Sequence, residues 1–162
     1  MATGDGGRGG GEGTQPLAPG LPDATPRAAL AHLAECAVDA ERLRARGAEV
    51  TLVVGWEATL FLWGIVAGAT AADRTTTLTS PPRLLWSTLR HGPFPCALNR
   101  HLRRAVATAR ARFAGPLTYA ALSFESVDWR PFDVVGVDHY RSGEPLDAWA
   151  ERSTTWTPRG TA

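Results

Sequence analysis

Val50-Thr-Leu-Val-Val-Gly-Trp-Glu-Ala-Thr-Leu-Phe-Leu-Trp-Gly64 is an apolar run with a single acidic side chain, Glu57, near its middle. The β-branched residues at its start, followed by Gly55, predict a strand over Val50–Val54 and then a turn. Burial disfavours the charged form of a carboxylate. A glutamate in this setting therefore either caps a following helix or carries chemistry, and the stretch decides both the fold class and the candidate site.

Helical patterns lie on both sides of this strand. Thr25-Pro26 opens an amphipathic helix that Gly47 ends, and a second helix begins at Pro95 and ends before Gly115-Pro116. The apolar residues 59–66 predict a helical turn or a short helix. Residues 80–91 predict a further helical segment, and two turns are expected after Pro145. Small and polar residues dominate positions 67–79, where the pattern predicts no element.

Two more strands are predicted, over Leu117–Ala121 and Phe132–Asp138. Both resemble core strands of a parallel sheet. Val50–Val54 is apolar on both faces, which is typical of a strand buried between helices. The sequence therefore predicts an α/β fold with about three parallel strands and flanking helices.

Charge and cysteine content give no sign of a charged partner or a metal. The 17 basic residues nearly balance the 16 acidic ones, so we expect no nucleic-acid partner and no attraction to an anionic membrane. Cys36 and Cys96 stand in no ligand spacing, which predicts buried or half-buried thiols in a reducing compartment. No secretory signal is recognisable in Met1–Pro26. The expected location is cytoplasmic, with no metal site and no cofactor.

A single membrane span is an alternative interpretation of residues 50–72. That segment has about the length needed to cross a bilayer, and Glu57 is its only charged residue. A central carboxylate costs roughly 2.5 to 3.5 kcal/mol on insertion scales. The β-branched start followed by Gly55 favours a strand and turn, so we expect no membrane partner.

Ionisable and polar residues follow each of the three predicted strands. Glu57 follows the first, Glu125 the second, and Asp138-His139-Tyr140 the third. The carboxyl ends of parallel strands share one face of a sheet, and in barrel enzymes that face carries the active site. The sequence therefore predicts a site at this face, although a carboxylate after a strand is also a common helix N-cap.

Four motifs in order resemble a bacterial family of glycoside-hydrolase-like TIM-barrel proteins, whose members are often labelled abortive infection proteins. They are Thr51-Leu-Val-Val-Gly-Trp-Glu-Ala-Thr-Leu-Phe61, Phe113-Ala-Gly-Pro-Leu-Thr-Tyr-Ala120, Glu125-Ser-Val-Asp-Trp129 and Phe132-Asp-Val-Val-Gly-Val-Asp-His-Tyr-Arg141. The resemblance covers about residues 29–141. It implies a partial (β/α)8 TIM-barrel-like fragment in which the three strands are the fourth, fifth and sixth of the barrel.

The resemblance also implies roles for particular residues. Glu57 would be the general acid/base of a retaining glycosidase, which protonates the glycosidic oxygen. Residues that would bind the carbohydrate are Trp56, Glu125, Asp138, His139 and Tyr140. Two positions depart from the family pattern, because Trp56 stands where a small or polar residue such as Asn is usual and His139 replaces the first of two tyrosines.

The nucleophile of such an enzyme ends a seventh strand that is not recognisable in this sequence. Three of eight strands cannot close a barrel, so we expect a truncated fragment with uncovered sheet edges and one uncovered apolar face, inactive by itself. The alternative is a non-catalytic interaction module that completes its sheet with another chain. The expected partners are carbohydrate for the glycosidase-like fragment and, for the interaction module, a protein that supplies the missing strands. The expected organisation is a disordered Gly/Pro-rich tail over 1–25, the barrel-like domain over 26–141 and a poorly ordered tail over 142–162.

Overall fold

The computed structural model describes residues 25–138 and 145–154, which form helices and strands around one parallel sheet. The elements are α1 (Pro26–Ala45), β1 (Leu52–Trp56), α2 (Ala58–Phe61), α3 (Ala71–Thr79), α4 (Pro81–His91), α5 (Phe94–Arg110), β2 (Leu117–Leu122), β3 (Gly136–Asp138) and α6 (Leu146–Thr154). The strands lie in the order β1-β2-β3, and both pairs are parallel. The predicted α/β class, with three parallel strands and flanking helices, is confirmed.

The apolar faces of α1 and α5 form the core with one face of the sheet. These two helices pack against each other and against β1. The buried core includes Leu33, Ala37, Leu98, Leu102, Phe113, Leu117 and Tyr119. Apolar residues recur at helical spacing in α5, so one stripe of that helix is buried while its arginines remain exposed. The packing of this layer fixes where the strand ends lie.

A β-bulge interrupts the pairing of β1 with β2. Val53 lies opposite Thr118, and Trp56 lies opposite Ala120, so β1 holds one more residue than β2 between the two pairs. A bulge bends its strand and changes where the following side chains point. This bulge directly precedes Glu57, and it therefore sets the direction in which β1 ends.

The prediction that the first strand is buried on both faces is wrong, and the strand lies two residues further along than Val50–Val54. Val54 is buried, whereas Val53 is 47% exposed and Trp56 is 61% exposed. Helices α1 and α5 pack against β1, yet Val53 and Trp56 of this strand meet solvent, whereas the residues of β2 are buried or half-buried on both faces. The expected uncovered apolar face is therefore present at β1.

Two helix predictions also need correction. The short helix expected over residues 59–66 ends at Phe61, because Leu62 is already extended. Helix α3 was not predicted, although its start has a sequence signal. Thr70 accepts a hydrogen bond from the Asp73 amide and the Asp73 carboxylate accepts one from the Thr70 amide, which together form a capping box. The T-x-x-D pattern was the signal that could have revealed this helix.

The third strand, β3, is shorter than predicted. Residues 132–135 are not a strand, because the amides of Asp133 and Val134 both donate to the Leu117 carbonyl instead of continuing the ladder.

Cys36 is half-buried, as predicted, but Cys96 is exposed, and both are free thiols.

Residues 50–72 do not form one helix, since they contain β1, α2 and the first two residues of α3. None of the helices in the described ranges is both long and apolar enough to cross a membrane. The tail predicted over 1–25 lies, except for Thr25, outside the described residues. Within the segment 142–162 the structure has α6, which agrees with the helix expected after Pro145.

Candidate functional site

Glu57 directly follows β1 and has an unusual backbone. Its φ and ψ are both 40°, in the left-handed region, which costs a non-glycine residue about 1 to 2 kcal/mol. Its amide donates to the Ala120 carbonyl at 2.9 Å, so the turn is tied to β2. The side chain is only 4% exposed and does not cap α2. Strained backbone of this kind is concentrated at functional sites.

The N-terminal cap of α2 comes instead from Tyr119 of β2 and from Glu125 in the loop after β2. The Tyr119 hydroxyl accepts a hydrogen bond from the Ala58 amide at 2.7 Å and donates to Glu125 Oε2 at 2.9 Å. Glu125 Oε2 also accepts from the Leu122 amide, and Oε1 accepts from the Thr59 amide, both at 3.0 Å. Glu125 is 3% exposed, and its carboxylate thus joins the ends of β1 and β2.

The carboxylates of Glu125 and Glu57 both act electrostatically on the Tyr119 hydroxyl. Burial raises the pKa of Tyr119 far above its ordinary value, and the negative charges of Glu125 and, more weakly, Glu57 raise it further. The phenol therefore stays protonated and remains a hydrogen-bond donor. Glu125 accepts a hydrogen bond from this hydroxyl, and Glu57 directly precedes Ala58, whose amide donates to it.

The other predicted site residues are distributed along the same end of the sheet. Trp56 is the last residue of β1, with an exposed indole, and Asp138 is the last residue of β3, half-buried and opposite Leu122. His139 and Tyr140 lie outside the described residues. The structure therefore places Glu57 directly before the two α2 amides that Tyr119 and Glu125 cap, and it places Asp138 one strand further along.

Sequence reasoning did not identify Tyr119 as a site residue. A signal was present, because a buried tyrosine needs a partner for its hydroxyl, and Tyr119 stands in a strand that is apolar apart from Thr118. Its partners, Ala58 and Glu125, are 61 and 6 residues away in sequence. Spacing alone gives no indication of the first of these contacts.

Two grooves on the surface lie away from Glu57. One, of about 460 Å³, is lined by Ala67, Gly68, Asp73, Thr77, Pro82, Arg83 and Trp86. The other, of about 430 Å³, is lined by Pro95, Cys96, Asn99, Arg100, Arg103, Ser126, Val127, Asp128 and Arg130. In the part of the chain that the structure describes, no three His, Cys, Asp or Glu side chains are grouped as metal ligands would be.

Buried carboxylates at one end of a sheet suit acid/base chemistry only if a substrate reaches them. Glu57 and Glu125 are both buried, and both oxygens of Glu125 accept hydrogen bonds from the protein. In this arrangement Glu125 organises the exits of β1 and β2. Its predicted contact with carbohydrate, like that of Trp56 and Asp138, stays a prediction.

No family model matches the chain, and no curated protein matches it. The resemblance to barrel glycosidases therefore rests on the four sequence motifs. The features that bear on function are the contacts at the strand ends and the exposed residues of β1.

Proposed function

We propose that the chain is a glycoside-hydrolase-like barrel fragment in which Glu57 holds the position of the general acid/base, and that it does not hydrolyse glycosides alone. One observation carries this proposal: Glu57 lies buried, in a left-handed turn, directly at the carboxyl end of a parallel strand. In barrel enzymes that end of the strands is where catalytic residues stand. The substrate class that the motifs favour is carbohydrate.

The inactivity that we propose follows from the absence, among the described residues, of a second carboxylate placed to act as nucleophile. A retaining glycosidase needs a nucleophile about 5 to 5.5 Å from the acid/base. Glu125 lies near, but its oxygens are already engaged by Tyr119, Leu122 and Thr59. Asp138 ends β3, which is separated from β1 by β2. Neither residue is placed to attack a sugar held at Glu57.

Aryl glycosides test this proposal directly. We expect the purified chain to release no more aryl alcohol than buffer does, and Glu57→Gln to give the same result. The matched control is Glu49→Gln, an exposed glutamate outside the site. Hydrolysis by the purified chain that Glu57→Gln abolishes and Glu49→Gln leaves unchanged would contradict the proposed inactivity.

A second candidate function is an interaction module that completes its sheet with another polypeptide. The observation that favours it is the exposure of Val53 and Trp56 on one face, while Val54 and Leu117 lie in the core. In a closed barrel the inner face is filled by side chains from all strands. The occupant that fits is a polypeptide carrying further parallel strands, which would cover Val53 and Trp56.

Co-expression tests the second candidate. The reading frames that flank the coding sequence are first searched for the missing barrel strands. The polypeptides that they encode are then co-expressed with the chain. We expect a stable complex in which the fluorescence of Trp56 shifts to the blue, because its indole leaves water. Trp56→Glu should prevent the complex, whereas Trp63→Glu, at another exposed tryptophan outside the strands, should not. A complex that forms equally well with both variants would contradict it.

A further inference from the structure

Three arginines, Arg100, Arg103 and Arg130, line a groove that does not include Glu57. The groove, of about 430 Å³, lies between the amino-terminal half of α5 and the loop after β2, and we call it the α5 groove. Arg100 and Arg103 are three residues apart, which places them on one face of the helix, and both are exposed. Pockets that bind small ligands typically measure about 300 to 1,000 Å³, so the α5 groove is large enough for one.

Of the described residues that line the α5 groove, Asp128 alone is acidic. Arg130 Nε donates to Asp128 Oδ1 and Arg130 Nη2 donates to Oδ2, both at 2.8 Å, so this carboxylate and this guanidinium neutralise each other. Hydrogen bonds from Arg130, and more weakly the charge of Arg103, lower the pKa of Asp128 below its ordinary value. Two positive charges remain, because neither Arg100 nor Arg103 makes a hydrogen bond or a salt bridge within the described ranges.

Asn99 fixes the two walls of the α5 groove to each other. Its Nδ2 donates to the carbonyls of Pro95 and Ser126, both at 2.8 Å, and its Oδ1 accepts from the Asp128 amide at 2.7 Å. The loop after β2 is thereby attached to α5 through one side chain. A ligand that enters a preformed site loses less free energy to ordering the protein than one that enters a mobile loop.

We propose that the α5 groove binds a small phosphomonoester, with the phosphate between the guanidiniums of Arg100 and Arg103. A phosphate group carries about −1.5 to −2 charges at pH 7 and three acceptor oxygens, which match two cations. A carboxylate matches one, as the ion pair already in the groove illustrates. Pro95 also lines the groove and supplies apolar surface for the rest of the ligand.

A small molecule is favoured over a nucleic acid as the source of the phosphate. Proteins that bind single strands stack the bases on aromatic side chains, and none of the described residues lining the α5 groove is aromatic. The proposal is independent of the role of Glu57, because that residue takes no part in the groove.

Isothermal titration calorimetry with phenyl phosphate tests the proposal. We expect saturable one-to-one binding that Arg100→Ala weakens by at least about tenfold, because a hydrogen bond to a charged group contributes that much. Arg103→Ala should weaken it similarly. The matched control is Arg104→Ala, at an exposed arginine of α5 that does not line the groove. Its affinity should be nearly unchanged, since salt screens a charge outside the groove. Circular dichroism shows that the variants are folded, because all three positions are exposed.

Cys96 locates the ligand independently of the arginines. Its exposed thiol lines the α5 groove four residues before Arg100, and Cys36→Ser leaves it as the single thiol of the chain. With phenyl phosphate at ten times its Kd, about one chain in eleven stays unliganded. Alkylation of Cys96 by iodoacetamide should therefore slow several-fold. In the Cys96→Ser chain, alkylation of Cys36, which lies on α1, should keep its rate.

Four results would overturn the proposal. The first is phenyl phosphate that does not saturate at millimolar concentration, or whose binding Arg104→Ala weakens as much as Arg100→Ala does. Benzoate that binds as tightly as phenyl phosphate would contradict the match between a phosphate and two arginines. An unchanged alkylation rate of Cys96 would place the ligand elsewhere. A single-stranded oligonucleotide that binds more tightly than phenyl phosphate, and that Arg100→Ala and Arg104→Ala weaken equally, would assign the arginines of α5 to a nucleic acid.

Discussion

We expect Glu125→Ala to lower the free energy of unfolding by roughly 3 kcal/mol or more, because it leaves several buried donors without an acceptor. The carboxylate accepts hydrogen bonds from the Tyr119 hydroxyl and from the amides of Leu122 and Thr59. Each buried donor left unsatisfied costs about 1 to 3 kcal/mol. Urea denaturation followed by circular dichroism measures the change.

Two milder variants and one control separate the hydrogen-bond network from simple loss of volume. Glu125→Gln keeps the size of the side chain but turns its amide group toward one of the donors. We expect it to lower the free energy of unfolding by about 1 to 2 kcal/mol. Tyr119→Phe removes the hydroxyl that bridges Ala58 and Glu125 and should cost a similar amount. Glu49→Ala, at an exposed position, should change stability by less than about 0.5 kcal/mol. A Glu125→Ala chain as stable as Glu49→Ala would show that the network contributes nothing.

The same network determines the backbone at Glu57. Tyr119 and Glu125 hold the first two amides of α2, so the left-handed residue before them has little freedom to relax. A fixed position is what a proton donor needs, because a small displacement from the reacting atom costs much of the rate. The stability of this corner and the proposed role of Glu57 are therefore linked through Glu125.

Gly136→Ala should destabilise the protein by about 2 to 3 kcal/mol, because the added methyl group would collide with the central strand. A Cβ at this position would stand 2.7 Å from the Tyr119 carbonyl oxygen and 2.8 Å from Thr118 Oγ1. The carbonyl belongs to the backbone of β2 and cannot turn away. We expect β3 to separate from β2, which amide hydrogen exchange at Val137 would detect together with the loss in urea denaturation.

Gly55→Ala is the matched control within the same sheet. Its added Cβ would lie 3.8 Å from the Tyr119 ring, an ordinary van der Waals distance. The backbone at Gly55 does not need a positive φ. We therefore expect unchanged or slightly higher stability, since alanine restricts the unfolded chain more than glycine does. Equal losses from the two substitutions would contradict the close approach of β3 to β2.

Local patterns predicted the parts of the fold that are stabilised locally. The ends of α1 follow from Thr25, Pro26 and Gly47, and the start of α5 follows from Pro95. Helix α5 ends at Arg110, before the Gly115-Pro116 pair that was expected to end it. The three strands were expected in the right order because each is a short apolar run bounded by turn residues. Helix α3 was missed because its threonines disfavour a helix in isolation, and its capping box outweighed them.

The length and burial of the strands depended on contacts distant in sequence. Val134 and Val135 look like strand residues, yet the chain at Asp133 turns to meet the Leu117 carbonyl, and β3 begins only at Gly136. The exposure of Val53 could not be predicted from its side chain, because exposure depends on whether another layer covers that face of the sheet. A run of valines carries no information about what lies opposite.

The sequence by itself determined that Glu57 follows a strand of a parallel α/β sheet, because the β-branched residues before it are a local signal, although Gly55 lies within that strand and does not end it. Only the tertiary structure decided how that glutamate is held. The bulge in β1, the left-handed turn and the cap in which Tyr119 and Glu125 accept from the α2 amides come from contacts across as many as 66 residues. Hydrogen bonds between distant residues depend on how the chain packs, and no local pattern encodes them.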